Sequence, residues 1–454
     1  MAYYTALQIF RNGILANACL LILSVAFYFL STGPQGALLI VAIIANWFIA
    51  NRLRKPFLLK DRGWLIIGIA ANLSLLGWYK YYCFVFTGIS QLLQSFTIFQ
   101  GSCVNQELPV GISFFTFMAI SYLVEVYRKN VQPSSLLNFG TYLSLFPHLV
   151  AGPIVRYSEL VDELKTREHS VSIFFSGMLQ FSFGFAKKVL IADSVGKVAD
   201  NIFSLPINEI GMQTAWIGAL CYTIQIFFDF SGYTDMAMGL AKMFGFHFPP
   251  NFDQPYRATS ITEFWRRWHM TLSRWFRDYL YIPMGGNRNG RFRTYVNLSA
   301  VFLLCGLWHG AAWTFIVWGA YHGVLLVIER MAKDSFGYSP KGSAGWFYSF
   351  ILIVIGWVIF RSPTITYAGK YISAMFIPSK IVDYGFQDMS SSSLFFLVIG
   401  FLISITSTEW FRFANRVQFS YRIMFSGSLS MVLLLIATAY LTSSSYKPFI
   451  YFRF

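Results

Sequence analysis

Residues 295–316 read YVNLSAVFLLCGLWHGAAWTFI, an uncharged apolar run with one histidine, His309, near its far end. As a helix rising about 1.5 Å per residue, such a run is long enough to cross a bilayer core about 30 Å thick. Working outward, comparable runs occur at 14–31, 37–50, 64–87, 110–127, 172–191, 213–230, 346–360, 394–409 and 423–442. A shorter run at 139–151 is a marginal addition, and 317–330 reads as a possible separate helix. The chain is 56% hydrophobic and only 12% charged, about half the charge of an ordinary soluble protein. These runs lack the polar–apolar alternation of a membrane β-barrel. The composition therefore predicts an all-α polytopic membrane protein with about 10–12 transmembrane helices and further re-entrant or interfacial ones. The whole of 1–454 reads as a single membrane domain.

The charge balance helps to orient the chain. Thirty-five Lys and Arg against 20 Asp and Glu give a formal charge of +15. The basic residues cluster at helix ends, which fits cytoplasmic loops in a lipid bilayer rather than a nucleic-acid partner. Loop 51–63 and the basic run 251–293 are placed in the cytoplasm, and the loop at 88–108, which has no Lys or Arg, outside. No small-residue cleavage site follows the first apolar run, so that run is expected to remain as an anchor. The five cysteines show no metal spacing, and only Cys83 and Cys103 fall where they could meet outside the membrane. Sequence leaves that pair open.

The segment 261–323 concentrates chemistry. It holds three of the six histidines, His269, His309 and His322, beside a dense arginine run. A polar group in hydrocarbon is costly unless it finds a partner, so imidazoles there point to function. Ser260 and Glu263 fit a capping box opening a helix over 261–280. On that helix Trp265, Trp268, Leu272, Trp275, Phe276 and Tyr279 form one face, and Arg266, His269, Ser273 and Arg277 another. Such a helix suits a membrane interface, and a plain anchoring role is the competing reading. On one straight helix His309 and His322 would lie about 20 Å apart. A break at Gly310 or Gly319 would fold them together. No HxxxH or HxH spacing supports a metal.

Asp229 and Asp235 flank Ser231-Gly232-Tyr233 at the end of an apolar run. They are either functional intramembrane carboxylates or caps at a helix break. Lys80, Glu125, His148, Arg156, Lys187 and Lys188 lie near span ends and read mainly as anchors or ion pairs.

Several separated blocks resemble one family. They are Trp265-Arg-Arg-Trp-His269, Arg277-Asp-Tyr-Leu-Tyr-Ile-Pro-Met-Gly-Gly-Asn-Arg288, Trp308-His309-Gly and Trp318-Gly-Ala-Tyr-His322-Gly. With Leu108–Phe117, Phe146–Tyr157 and Phe228–Asp235 they look like the membrane-bound O-acyltransferase family. The likeness is closest to its bacterial branch of alginate O-acetyltransferase-like membrane subunits and is strongest over 37–375. Departures are His148, where the family commonly has glutamine, and the short, polar residues 1–13 where it usually has a further span.

The resemblance implies helices around a central tunnel, a cytoplasmic acyl donor and an acceptor approached from the other face, with His309 as the catalytic histidine. Acyl transfer from a thioester needs a base and an oxyanion donor. His309 fits the first role, and His322 or a nearby amide donor the second. Arg266, Arg267, Arg274 and Arg277 could grip the phosphates of acetyl-CoA, because guanidinium pairs bidentately with phosphate. His269, Asp229 and Asp235 join them as candidate donor- and substrate-binding groups. The expected function is O-acetylation of an exported polysaccharide such as alginate, or of the cell wall, at a bacterial inner membrane. No bound cofactor is expected. A separate extracytoplasmic protein is expected to accept the acetyl group or present the polysaccharide. The alternatives are D-alanyl transfer to teichoic acid within the same family and, from another class, a polysaccharide export channel. An exporter would favour paired discontinuous spans in two related halves, which the sequence lacks.

Overall fold

The computed structural model describes residues 13–54, 60–94, 103, 107–378, 384–385, 389–406 and 419–443. All regular structure among them is helical, without a strand. The chain clusters into two compact units, Met1–Phe174 with Leu240–Pro249, and Phe175–Gly239 with Pro250–Phe454.

In the first unit, α1 (Gly13–Thr32) and α2 (Ala37–Arg52) are joined by the tight turn Gly33–Gly36. The run expected at 64–87 is longer than the sequence suggests. It comprises α3 (Asp61–Leu76), a π-helical turn at Gly77–Tyr81 and α4 (Tyr82–Gln94). Helix α5 (Ile112–Tyr127) is buried from Ile112 through Val126. Amides tie the helices together: Asn46 and Asn72 exchange hydrogen bonds of 3.2 and 2.7 Å, and Asn17 donates to Asn138 at 2.9 Å. In hydrocarbon such pairs satisfy groups that lipid cannot. Glu125 accepts from the Ser158 hydroxyl at 2.6 Å, an internal partner rather than an interface anchor. Cys83 and Cys103 form a disulfide.

The marginal run 139–151 is not a span. It breaks into α6 (Leu136–Ser144), capped by Ser135, and the single turn α7 (Phe146–Leu149). Pro147 explains the break, since proline cannot continue a helix without displacing the carbonyl four residues back. A further turn, α8 (Tyr157–Leu160), follows.

The second unit carries the candidate site. Helix α9 (Val171–Ala186) passes through a π-helical turn at Lys187–Ala192 into α10 (Asp193–Ser204), and α11 (Met212–Met243) follows. Next come two short helices, α12 (Ile261–Arg267) and α13 (Met270–Phe276), and a π-helical turn at Arg277–Tyr281. The apolar helices α14 (Gly290–His309), α15 (Trp313–Phe336) and α16 (Gly342–Arg361) complete the region. Helices α17 (Ile365–Phe376), α18 (Ser391–Ile405) and α19 (Phe419–Ser443) close the chain. The end of the run expected at 394–409 and most of the N-terminal stretch 1–13 lie outside the described residues. Among the described residues, Gly13–Arg52, Trp313–Phe336 and Gly342–Arg361 are long and apolar enough to cross a membrane.

Two sequence expectations need correction. The run 295–316 is not continuous, because α14 stops at His309 and Gly310 adopts extended backbone. The helix expected over 261–280 is broken at Trp268-His269, where His269 takes φ 43°. Positive φ breaks the helical path and is strained for a residue with a Cβ, so it persists only where surrounding contacts hold it.

Candidate active site

The break at Gly310 turns α14 and α15 into a hairpin. Glycines bring the two helices together: a Cβ at Gly306 would run into the Phe315 carbonyl, and one at Gly319 into the Phe302 carbonyl. Small residues at a membrane helix interface let backbones approach and maximise packing. The consequence is chemical. His309 and His322 each lie 5.1 Å from the Trp318 ring, so they share one cluster instead of standing far apart on a straight helix. Trp308 and Phe360 enclose His309 at 5.0 and 5.3 Å.

The tautomer of His322 follows from its partner. The Trp265 indole N–H donates to His322 Nδ1 at 3.3 Å. Nδ1 is therefore the unprotonated nitrogen, and Nε2 carries the hydrogen. Gly356 packs against that Nε2, and a Cβ there would lie only 2.8 Å away. His322 is thus an N–H donor in a buried aromatic cage.

Helix α15 is fixed to the aromatic segment by Glu329. Its carboxylate accepts from the backbone N–H groups of Ile261 (2.6 Å) and Thr262 (2.8 Å) and from the Thr262 hydroxyl (2.6 Å). A carboxylate on unsatisfied N–H groups at a helix start is favourable. Ser260 caps α12 by accepting from Glu263 N at 3.0 Å. The box is only half formed as expected, because Glu263 reaches back to Thr259 N at 2.9 Å. Trp265, Trp268, Leu272, Trp275 and Phe276 are buried rather than interfacial, and Tyr279 is half-buried.

His269 departs from the expected pattern. It does not share a face with the arginines: it is 1% exposed, whereas Arg266 and Arg277 are exposed. Its ring lies 4.8 Å from Phe230 and 6.1 Å from Trp308, which in turn contacts His309. This depth of contact rules out a helix that merely lies on a surface. His269 Nδ1 is 3.1 Å from Asn251 Oδ1, and Nε2 is buried without a hydrogen-bond partner among the described residues. Burial pushes the imidazole down to about 3, so it is neutral at physiological pH.

The arginines divide. Arg267 pairs with Asp253 (3.1 Å) and Glu263 (2.9 Å), and Arg277 with its neighbour Asp278 (2.6 Å). Those charges are already compensated. Arg274 is half-buried, while Arg266 is exposed and makes no ion pair among the described residues.

Asp229 and Asp235 do not cap a helix break, since α11 runs unbroken past both. Lys188 pairs with Asp193 and, at 3.0 Å, with Asp229; Lys187 pairs with Asp235 at 2.5 Å. The structure joins both carboxylates to lysines.

Sequence reasoning missed two contributors, Asn251 and Glu329, and met Trp318 only as part of a family block. Glu329 carried a usable signal, being an acid in the apolar stretch Leu325-Leu-Val-Ile-Glu329. Asn251 had none, because its partners are twenty residues on and meet it only through the turn at His269.

Comparison with known proteins identifies the family. The profile of MBOAT, the membrane-bound O-acyltransferase family, matches residues 103–361, a stretch that takes in all three histidines. The probable alginate O-acetylase AlgI of Pseudomonas putida is 37% identical over 480 residues, covering 100% of this chain and 96% of that relative. The probable alginate O-acetylase AlgI of Pseudomonas aeruginosa is 41% identical, over 88% of this chain and 76% of its own length. The peptidoglycan O-acetyltransferase of Helicobacter pylori is 36% identical, over 83% and 76%. The chain belongs to the membrane-bound O-acyltransferase family. It is an O-acyltransferase in a membrane.

Proposed function

We propose that this protein is an O-acetyltransferase of a bacterial inner membrane, passing acetyl from a cytoplasmic thioester, acetyl-CoA, outward to hydroxyls of an exported polysaccharide or of the cell wall. The observation that carries the reading is the buried cluster of His309 and His322 around Trp318. The relatives named for alginate and peptidoglycan acetylation support the class of acceptor.

His309 takes the proton of the acceptor hydroxyl as its oxygen attacks the thioester carbonyl carbon. The His322 Nε2–H donates to the oxyanion that forms. Collapse breaks the C–S bond, the ester leaves, and the proton held by His309 passes to the thiolate. A positioned base contributes about 10²–10⁴-fold, and a preorganised oxyanion donor a similar factor in a dry site. Exposed Arg266 offers the donor's phosphates a charge that no carboxylate has taken. His269 faces the substrates as a neutral acceptor. Asp229 and Asp235, held by lysines, support the helices of the site in preference to touching substrate.

An extracytoplasmic partner that accepts the acetyl group or presents the polymer completes the proposed pathway. The test is vesicle reconstitution with labelled acetyl-CoA enclosed on the side of loop 251–294 and a hydroxyl acceptor on the other. Label appearing across the membrane supports the reading. Acetyl-CoA left intact with every acceptor and partner tried contradicts it.

A further inference from the structure

The geometry points to Asn251 as the residue that makes His269 a recognition site for an amide N–H of the acyl donor. This assignment rests on the thioester reading above and deepens it.

The backbone N–H of Thr271 can only donate, and it lies 3.2 Å from Asn251 Oδ1. That position must therefore hold the amide oxygen, since turning the amide over would set N–H against N–H. The Thr271 hydroxyl adds a second donor at 2.9 Å. His269 Nδ1, at 3.1 Å from the same oxygen, must then carry a hydrogen. In a neutral imidazole this leaves the lone pair on Nε2, the nitrogen that is buried and unpartnered among the described residues. Met270 N donates to the Asn251 carbonyl at 2.9 Å and helps hold the strained backbone at His269. Asn251 thus sets both the tautomer and the place of the ring.

An uncharged buried acceptor is matched by an uncharged N–H or O–H. A charged partner would have to be desolvated without a counter-charge. The ring is also held too far below neutrality to serve as an efficient base, which is best matched to the working pH. A thioester carried on a pantetheine arm brings amide N–H groups a few bonds from the sulfur. His269 is linked through Trp308 to His309. An amide held by Nε2 would align the thioester beside that histidine. The site thereby selects amide-bearing thioesters over plain alkyl ones.

The experiment compares two small donors with the purified full-length protein: S-acetyl-N-acetylcysteamine, which has the amide, and S-butyl thioacetate, which lacks it. Wild type should favour the first in kcat/KM by about tenfold, the discrimination expected of one buried hydrogen bond. Asn251→Leu and His269→Phe should bring the two donors to near parity. Should Asn251→Leu fail to fold, the wild-type ratio and the His269→Phe variant still decide. Equal use of both donors by wild type, or an undiminished preference in a folded Asn251→Leu or His269→Phe protein, overturns the assignment. A protein that takes acetyl from neither thioester contradicts the thioester-donor reading itself.

Discussion

His269 shows how one residue links burial to pH. Its imidazole is held at about 3 in the fold, against about 6.5 in an unfolded chain. Between those values the unfolded state binds the extra proton, so stability is complete above pH 6.5 and falls as pH drops toward 3. At pH 5 the loss reaches about 2 kcal/mol from this group. His269→Gln should therefore lose less melting temperature than wild type between pH 7 and pH 5. Parallel losses in scanning fluorimetry would remove the effect from His269. Arg266 makes a contrasting case, with its charge unspent. Arg266→Gln should raise KM for acetyl-CoA several-fold with little change in kcat, the mark of binding shared by ground and transition states. Arg277→Gln should do less, because Asp278 already neutralises Arg277. Equal KM effects would undo that distinction.

At the scale of elements, the α14–α15 hairpin decides whether the two histidines meet. Gly319→Val should force the helices apart, since its Cβ would press on the Phe302 carbonyl. Overpacking of this kind costs about 1–3 kcal/mol, and activity should fall further because Trp318 moves with the backbone. Gly323→Ala should be milder, its nearest neighbour being a Phe302 side-chain carbon at 3.3 Å. The comparison is read from melting temperature and turnover, and equal tolerance at both positions would contradict the packing argument. The same elements mark how far sequence reaches. Apolar runs located most of the helices, because hydrocarbon imposes length and composition directly. The blocks around His309 and His322 marked the site. The split of 261–280 was not legible, since Trp268 and His269 fit helical spacing and the break depends on Asn251 and on burial. For Asp229 and Asp235 sequence left functional carboxylate and helix cap equally open, because their partners, Lys188 and Lys187, lie more than forty residues away.

For the molecule as a whole, sidedness is the claim that gives the chemistry its direction. Disulfides persist in oxidising compartments, so the Cys83–Cys103 pair agrees with the outward placement expected for the segment that follows α4. The positive-inside bias predicts the basic run 251–293 on the cytoplasmic side. In intact cells an impermeant maleimide should label Cys83 and Cys103 only after mild reduction, and should not reach a cysteine placed at Asn289. Labelling of the Asn289→Cys protein from outside would reverse the proposed direction of transfer.

The central claim is that His309, brought to Trp318 by the Gly310 break, performs acyl transfer. The most direct test is acetyl transfer from acetyl-CoA to a soluble hydroxyl acceptor by purified wild-type and His309→Ala proteins of matched melting temperature. Loss of at least about 100-fold in turnover in the variant, the lower bound for a positioned base, is the predicted result. Wild-type turnover in a folded His309→Ala protein would contradict the account.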